Sequence, residues 1–168
     1  QVSMRLRAIA NDESLWLKLN LGYRAVPYDF IEKAAGNGCQ YLSLVGCRLI
    51  GLTGKSESSS FNLKYLNYGK FGRVPLQDGL KLVQNCSSLQ KLSVADLTLD
   101  SNDIQYICQN SQTLQVLNLV NCNFDPHNIT GPLKDLFTNC THLTELNIGH
   151  CESGRVNDLL HPQIQALV

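Results

Sequence analysis

The sequence predicts an α/β solenoid, with a curved parallel sheet on its concave side and helices on its convex side. About six repeats are expected, preceded by the end of a separate helix. Two observations carry this prediction. A short strand-like motif recurs six times along the 168 residues at nearly constant spacing. Between its copies, apolar residues return at helical spacing.

The clearest copy covers residues 114–124. Leu114, Leu117, Leu119 and Cys122 occupy the anchors of the template L-x-x-L-x-L-x-x-N/C-x-L, and Phe124 replaces the last Leu. In a strand, Leu117 and Leu119 point into one core, Leu114 reaches it from the preceding turn, and Cys122 closes the following loop. The copies start at Trp16, Cys39, Leu63, Leu89, Leu114 and Leu143, with spacings of 23, 24, 26, 25 and 29 residues. Those spacings lie within the roughly 20–29 residues of a leucine-rich repeat. Strands are expected near 16–21, 39–44, 63–68, 89–94, 114–119 and 143–148.

The connecting segments read as helices. Residues 75–85 open with Pro75 and space Leu76, Leu80 and Val83 helically. Residues 100–108 offer several N-caps ahead of Ile104, Ile107 and Cys108. Residues 132–137 and a shorter stretch, 28–35, repeat the pattern. A strand–helix unit of this kind cannot bury its apolar edge alone, so neighbours must stack. The stretch 51–60 has a loop's composition instead. Its Gly54-Lys55-Ser56 is the tail of a phosphate-binding loop, but Leu49 stands where that motif needs Gly.

At the N-terminal end, Val2, Leu6 and Ile9 form one helical stripe, which Asn11, Asp12 and Glu13 end before Trp16 opens the first strand. Residues 155–168 start a helical segment, broken at Pro162, and stop before a seventh strand. The expected organisation is therefore a helical remnant and junction over 1–15, then repeats over 16–168 truncated at their C-terminal end.

Composition narrows the function classes. Fourteen basic residues balance fourteen acidic ones, so the basic face that nucleic acid requires is not expected. No apolar run approaches the roughly 20 residues of a membrane span. Cys47, Cys122 and Cys151 each follow a last strand anchor by three residues, and Cys86 and Cys140 each precede a first anchor by three. Such positions suit buried, reduced thiols, which point to the cytoplasm or nucleus. The sequons at Asn85, Asn128 and Asn139 point weakly the other way. Cys140 with His142, and His150 with Cys151, lack the paired spacing of a zinc site. No metal, cofactor or catalytic constellation is expected.

The outward-facing strand positions are the candidate protein-binding surface. One column reads Asn20, Ser43, Asn67, Ser93, Asn118 and Asn147, small hydrogen-bonding side chains whose first role is to solvate the sheet. Beside it runs Lys18, Tyr41, Tyr65, Lys91, Val116 and Glu145. The adjacent tyrosines Tyr41 and Tyr65 offer large contact area at low entropic cost.

The junction carries a resemblance. Arg5, Ala10, Asp12, Leu15 and Trp16 match V-C-x-R-W-x-x-L-A-x-D-x-x-L-W, the end of an F-box, with Ser3, Leu6 and Ile9 departing from it. With the repeats that follow, the chain resembles an F-box/leucine-rich-repeat protein. The resemblance implies a non-catalytic, substrate-recognition subunit of an SCF-type cullin-RING ubiquitin ligase. It implies a Skp-type adaptor and cullin scaffold as partners, through an F-box mostly missing from this chain, and a protein substrate on the repeats. A repeat scaffold without a ubiquitin role is the main alternative, and an extracellular recognition solenoid is another.

Overall fold

The structure is a computed structural model describing residues 12–51, 60–69, 80, 82–110, 112–124 and 130–151. The helix expected over 1–11, most of the loop 51–60 with its Gly54-Lys55-Ser56, and the tail 155–168 lie outside them. Of the helix expected over 75–85, Leu80 and residues 82–85 are described; Leu80 and 82–84 are helical, and Asn85 is a turn.

The fold is α/β. Its centre is a six-stranded parallel sheet of β1 (Lys18–Asn20), β3 (Tyr41–Ser43), β5 (Tyr65–Asn67), β6 (Lys91–Ser93), β8 (Val116–Asn118) and β10 (Glu145–Asn147). The strands lie side by side in chain order, and each pairs with the next in a constant register. Two further parallel pairs join β2 (Ala25–Pro27) to β4 (Arg48–Ile50) and β7 (Thr98–Leu99) to β9 (Asn123–Phe124), and a single bridge joins Phe61 to Cys86. These short outer pairs were not foreseen in the sequence.

Strand entry repeats one hydrogen-bond device. Consecutive N–H groups of Gln40 and Tyr41 share the Leu17 carbonyl, those of Lys64 and Tyr65 share Gln40, and those of Gln90 and Lys91 share Lys64. Gln115 and Val116 share Gln90, and Thr144 and Glu145 share Gln115. Strand exit is equally regular: the N–H groups of Leu21, Leu44, Tyr68, Val94 and Leu119 donate to the last strand residue of the next strand, at 2.7–2.9 Å. Backbone polar groups at the ends of three-residue strands are thereby satisfied.

The core lies on one side of this sheet. Leu42, Leu66, Leu92, Leu117 and Leu146, the middle strand residues, are buried, as are Leu44, Tyr68, Val94 and Leu119 beyond the strand ends. Burying one Leu side chain contributes about 1.5–3 kcal/mol, so the aligned rows are a large part of the driving force. The helices cover them: α2 (Tyr28–Gly36) through Ile31, Ala34 and Ala35, α3 (Ser101–Asn110) through Ile104, Ile107 and Cys108, and α4 (Thr130–Asn139) through Leu133 and Leu136. A capping box opens α3, where the Asp103 N–H donates to the Asp100 carboxylate and the Asp100 N–H to that of Asp103 (2.9 and 3.0 Å).

At the junction Asp12 and Glu13, expected to turn the chain, instead open a short helix, α1 (Glu13–Trp16), with Asp12 accepting from the Ser14 N–H at 3.0 Å. Trp16 lies two residues ahead of its strand, which begins at Lys18, as Leu114 lies two ahead of β8; the helix end expected at Asn11 lies outside the described residues. Trp16 closes that helix and meets Phe30 of α2, with ring centroids 5.9 Å apart. Its large ring is covered best from the helical side, where an aromatic partner waits.

Candidate interaction face

In each short strand the middle Leu points to the helices, so the flanking residues share the opposite face. The register aligns them into two rows. Lys18, Tyr41, Tyr65, Lys91, Val116 and Glu145 form the first, and Asn20, Ser43, Asn67, Ser93, Asn118 and Asn147 the second. At roughly 4.8 Å between strands, each row runs about 24 Å. All eleven candidate residues are thus brought onto one face, together with Val116.

The asparagines do more than solvate it. Oδ1 of Asn20 accepts from the Gly22 N–H (3.1 Å), that of Asn118 from Val120 (3.0 Å), and that of Asn147 from Gly149 (3.1 Å). Each side chain folds onto the backbone two residues on, an Asx turn that ends the strand. Ser93 departs from its expected exposure: only 7% of its surface is accessible. The second row is therefore largely scaffold.

The first row carries the chemistry. The Lys18 ammonium lies 4.9 Å from the Tyr41 ring centroid, a cation–π contact. The Tyr41 and Tyr65 rings are 6.4 Å apart and tilted by 38°, within the range of favourable aromatic pairs. Lys91 and Glu145 are exposed, with the half-buried Val116 between them in register. Around these three, a shallow cleft of ≈ 240 Å³ opens, with Tyr65 beside Lys91 and with Ser93, Asn118 and Asn147 along the second row.

Beyond the rows, the chain turns through residues of positive φ: Tyr23 (59°), Gly46 (65°), Asp96 (61°), Asn121 (57°) and His150 (58°). Asn, Asp, Gly and His tolerate this region far better than Tyr, so four of the five were legible in principle and Tyr23 was not. A side-chain bond from Asn121 Nδ2 to Asp96 Oδ1 (3.0 Å) ties two of these turns together.

The cysteines sit behind the face. None of the seven is in a disulfide. Cys47 donates to the Leu21 carbonyl (2.8 Å), Cys122 to Val94 (3.1 Å) and Cys151 to Leu119 (3.0 Å), each reaching the exit of the preceding strand. Burial pushes Cys122 up to about 11 and Cys86 up to about 12. It also raises Cys39, Cys47 and Cys151. A hydrogen bond to Cys140 and burial raise Cys108, and the same bond lowers Cys140. The raised thiols are poor nucleophiles at neutral pH.

His142 and His150 are exposed, and among the described residues no three His, Cys, Asp or Glu side chains gather as a metal site. Among the same residues, no helix is long and apolar enough to cross a membrane. No protein-family model matches the chain.

Proposed function

We propose that the chain is a leucine-rich-repeat solenoid serving as the substrate-recognition part of an SCF-type cullin-RING ubiquitin ligase. On this reading it binds a target protein across the face of the sheet. The observation that carries it is the unbroken register: six strands, 23 to 29 residues apart, presenting two rows on one accessible surface. Repetition of one unit with nearest-neighbour contacts is how solenoids build such surfaces. The link to a ligase rests on the F-box-like junction. Its Asp12, Glu13, Ser14, Leu15 and Trp16 are similar to the same run in the S-phase-kinase-associated F-box receptor, and Asp12 and Trp16 have structural work as N-cap and as partner of Phe30.

No bond-making is assigned to this subunit. It holds a substrate lysine near the ubiquitin-carrying enzyme and so raises its effective concentration. Seven cysteines outside any disulfide support action in the cytoplasm or nucleus. Co-purification of the full-length gene product with a Skp-type adaptor and a cullin tests the proposal. Stoichiometric recovery of both is expected. Failure to recover the adaptor leaves a repeat scaffold without a ubiquitin role.

A further inference from the structure

The first row of the face is not electrically uniform, and its two halves differ in availability. At one end Lys18 is engaged over Tyr41, which leans on Tyr65. At the other, Lys91 and Glu145 stand two strands apart with Val116 between them. Two strand spacings are about 10 Å, beyond the reach of an ion pair between the backbones, and among the described residues the one ion pair is Lys33–Asp29. Lys91 and Glu145 therefore face solvent as separate opposite charges across a half-buried apolar floor.

We infer that this cleft is a charge-polarised docking site for an extended segment of a partner protein. The segment carries an acidic side chain for Lys91, an apolar side chain over Val116 and a basic side chain for Glu145. The inference rests on the proposed role of this face in protein recognition and specifies the chemistry it selects. Size favours a protein segment over a free small molecule. The cleft holds ≈ 240 Å³ and is shallow, whereas sites that enclose small ligands span roughly 300–1,000 Å³. Tyr65 beside Lys91 adds a rigid aromatic wall of the kind that anchors protein contacts. In an extended chain alternate side chains share one face, so the acidic, apolar and basic side chains sit two residues apart from one another and the two charges fall four residues apart.

Selection from a random seven-residue peptide library displayed on phage tests this, with enriched peptides titrated against wild type, K91E, E145K and V116Y. Tyr is already accommodated in this row at Tyr41 and Tyr65, so V116Y fills the floor without demanding a new backbone. Wild type is expected to enrich peptides with one acidic and one basic residue four positions apart and an apolar residue midway between them. K91E is expected to prefer basic pairs and E145K acidic pairs, each by about fivefold, and V116Y to abolish capture. A change of preference cannot be mimicked by misfolding. Peptides displaced by V116Y but indifferent to K91E and E145K overturn the charge-polarised site and leave the recognition face standing. Peptides that V116Y does not displace, or no enrichment, overturn the cleft as a docking site, while the ligase reading falls only on failure to recover the adaptor.

Discussion

Cys122 shows how one side chain serves both packing and polar satisfaction. It is fully buried, and its thiol donates to the Val94 carbonyl at 3.1 Å. Cys122→Ala removes that donor and leaves a small void, so a loss of about 1–3 kcal/mol is expected, read as a lower urea midpoint at unchanged slope. The same burial makes stability depend on alkaline pH. Cys86 is held at about 12 from an ordinary value of 9.0, so between those values the unfolded chain has lost a proton that the folded chain keeps. Stability from this group is complete below pH 9 and falls as pH rises toward 12. At pH 11 the loss is about 2–3 kcal/mol. Urea titrations at pH 8 and pH 11 check it: the decline must shrink in Cys86→Ala, and an equal decline in both proteins refutes the assignment. Gly46 is a third residue-scale case. Its φ of +65° and a would-be Cβ only 2.7 Å from the Tyr23 ring both oppose a side chain. Because Tyr23 is exposed and can swing away, Gly46→Ala is expected to cost only the backbone term, about 1–2 kcal/mol.

Among the elements, α3 depends most visibly on its start. Asp100 and Asp103 satisfy each other's N–H groups, and burial raises the Asp103 carboxyl even though the Asp100 N–H bond opposes it. Asp100→Ala should cost about 1 kcal/mol, a fall of roughly 2–4 °C in melting temperature for a chain of this size, with Asp100→Asn restoring most of it. That helix was legible before the structure, because Asp100, Ser101 and Asn102 precede Ile104 and Ile107 at helical spacing. The Leu rows were legible for the same reason, since period-two alternation needs only local sequence. What was not legible depended on register or on a distant partner. Asn118 looks like a surface amide until the backbone bends its Oδ1 onto the Val120 N–H. The short helix that ends at Trp16, and the contact of its ring with Phe30 of another helix, depend on a partner that the local sequence does not name. The cleft between Lys91 and Glu145 exists only because β6, β8 and β10 align those residues.

At the scale of the whole molecule, every strand of the main sheet bonds only to strands adjacent in chain order. If these are stacked repeats, stability is close to a sum of unit and interface terms, and opening proceeds inward from the edges. A conventional two-layer domain, with one cooperative core, opens as a unit instead. The edge strand β1 already differs from the centre: its middle residue Leu19 is half-buried, whereas Leu66 and Leu92 in β5 and β6 are buried. Native-state hydrogen exchange distinguishes the two. Amides of β1 and β10, the outer strands of the described sheet, are expected to exchange at lower free energy than those of β5 and β6. Leu92→Ala, at a cost of about 2–5 kcal/mol, is expected to lower protection most in β6 and its neighbours β5 and β8, splitting the unfolding transition. A uniform fall in protection across all six strands excludes the stacked-repeat reading, because units coupled only to their neighbours cannot transmit one local loss equally to both ends of the sheet.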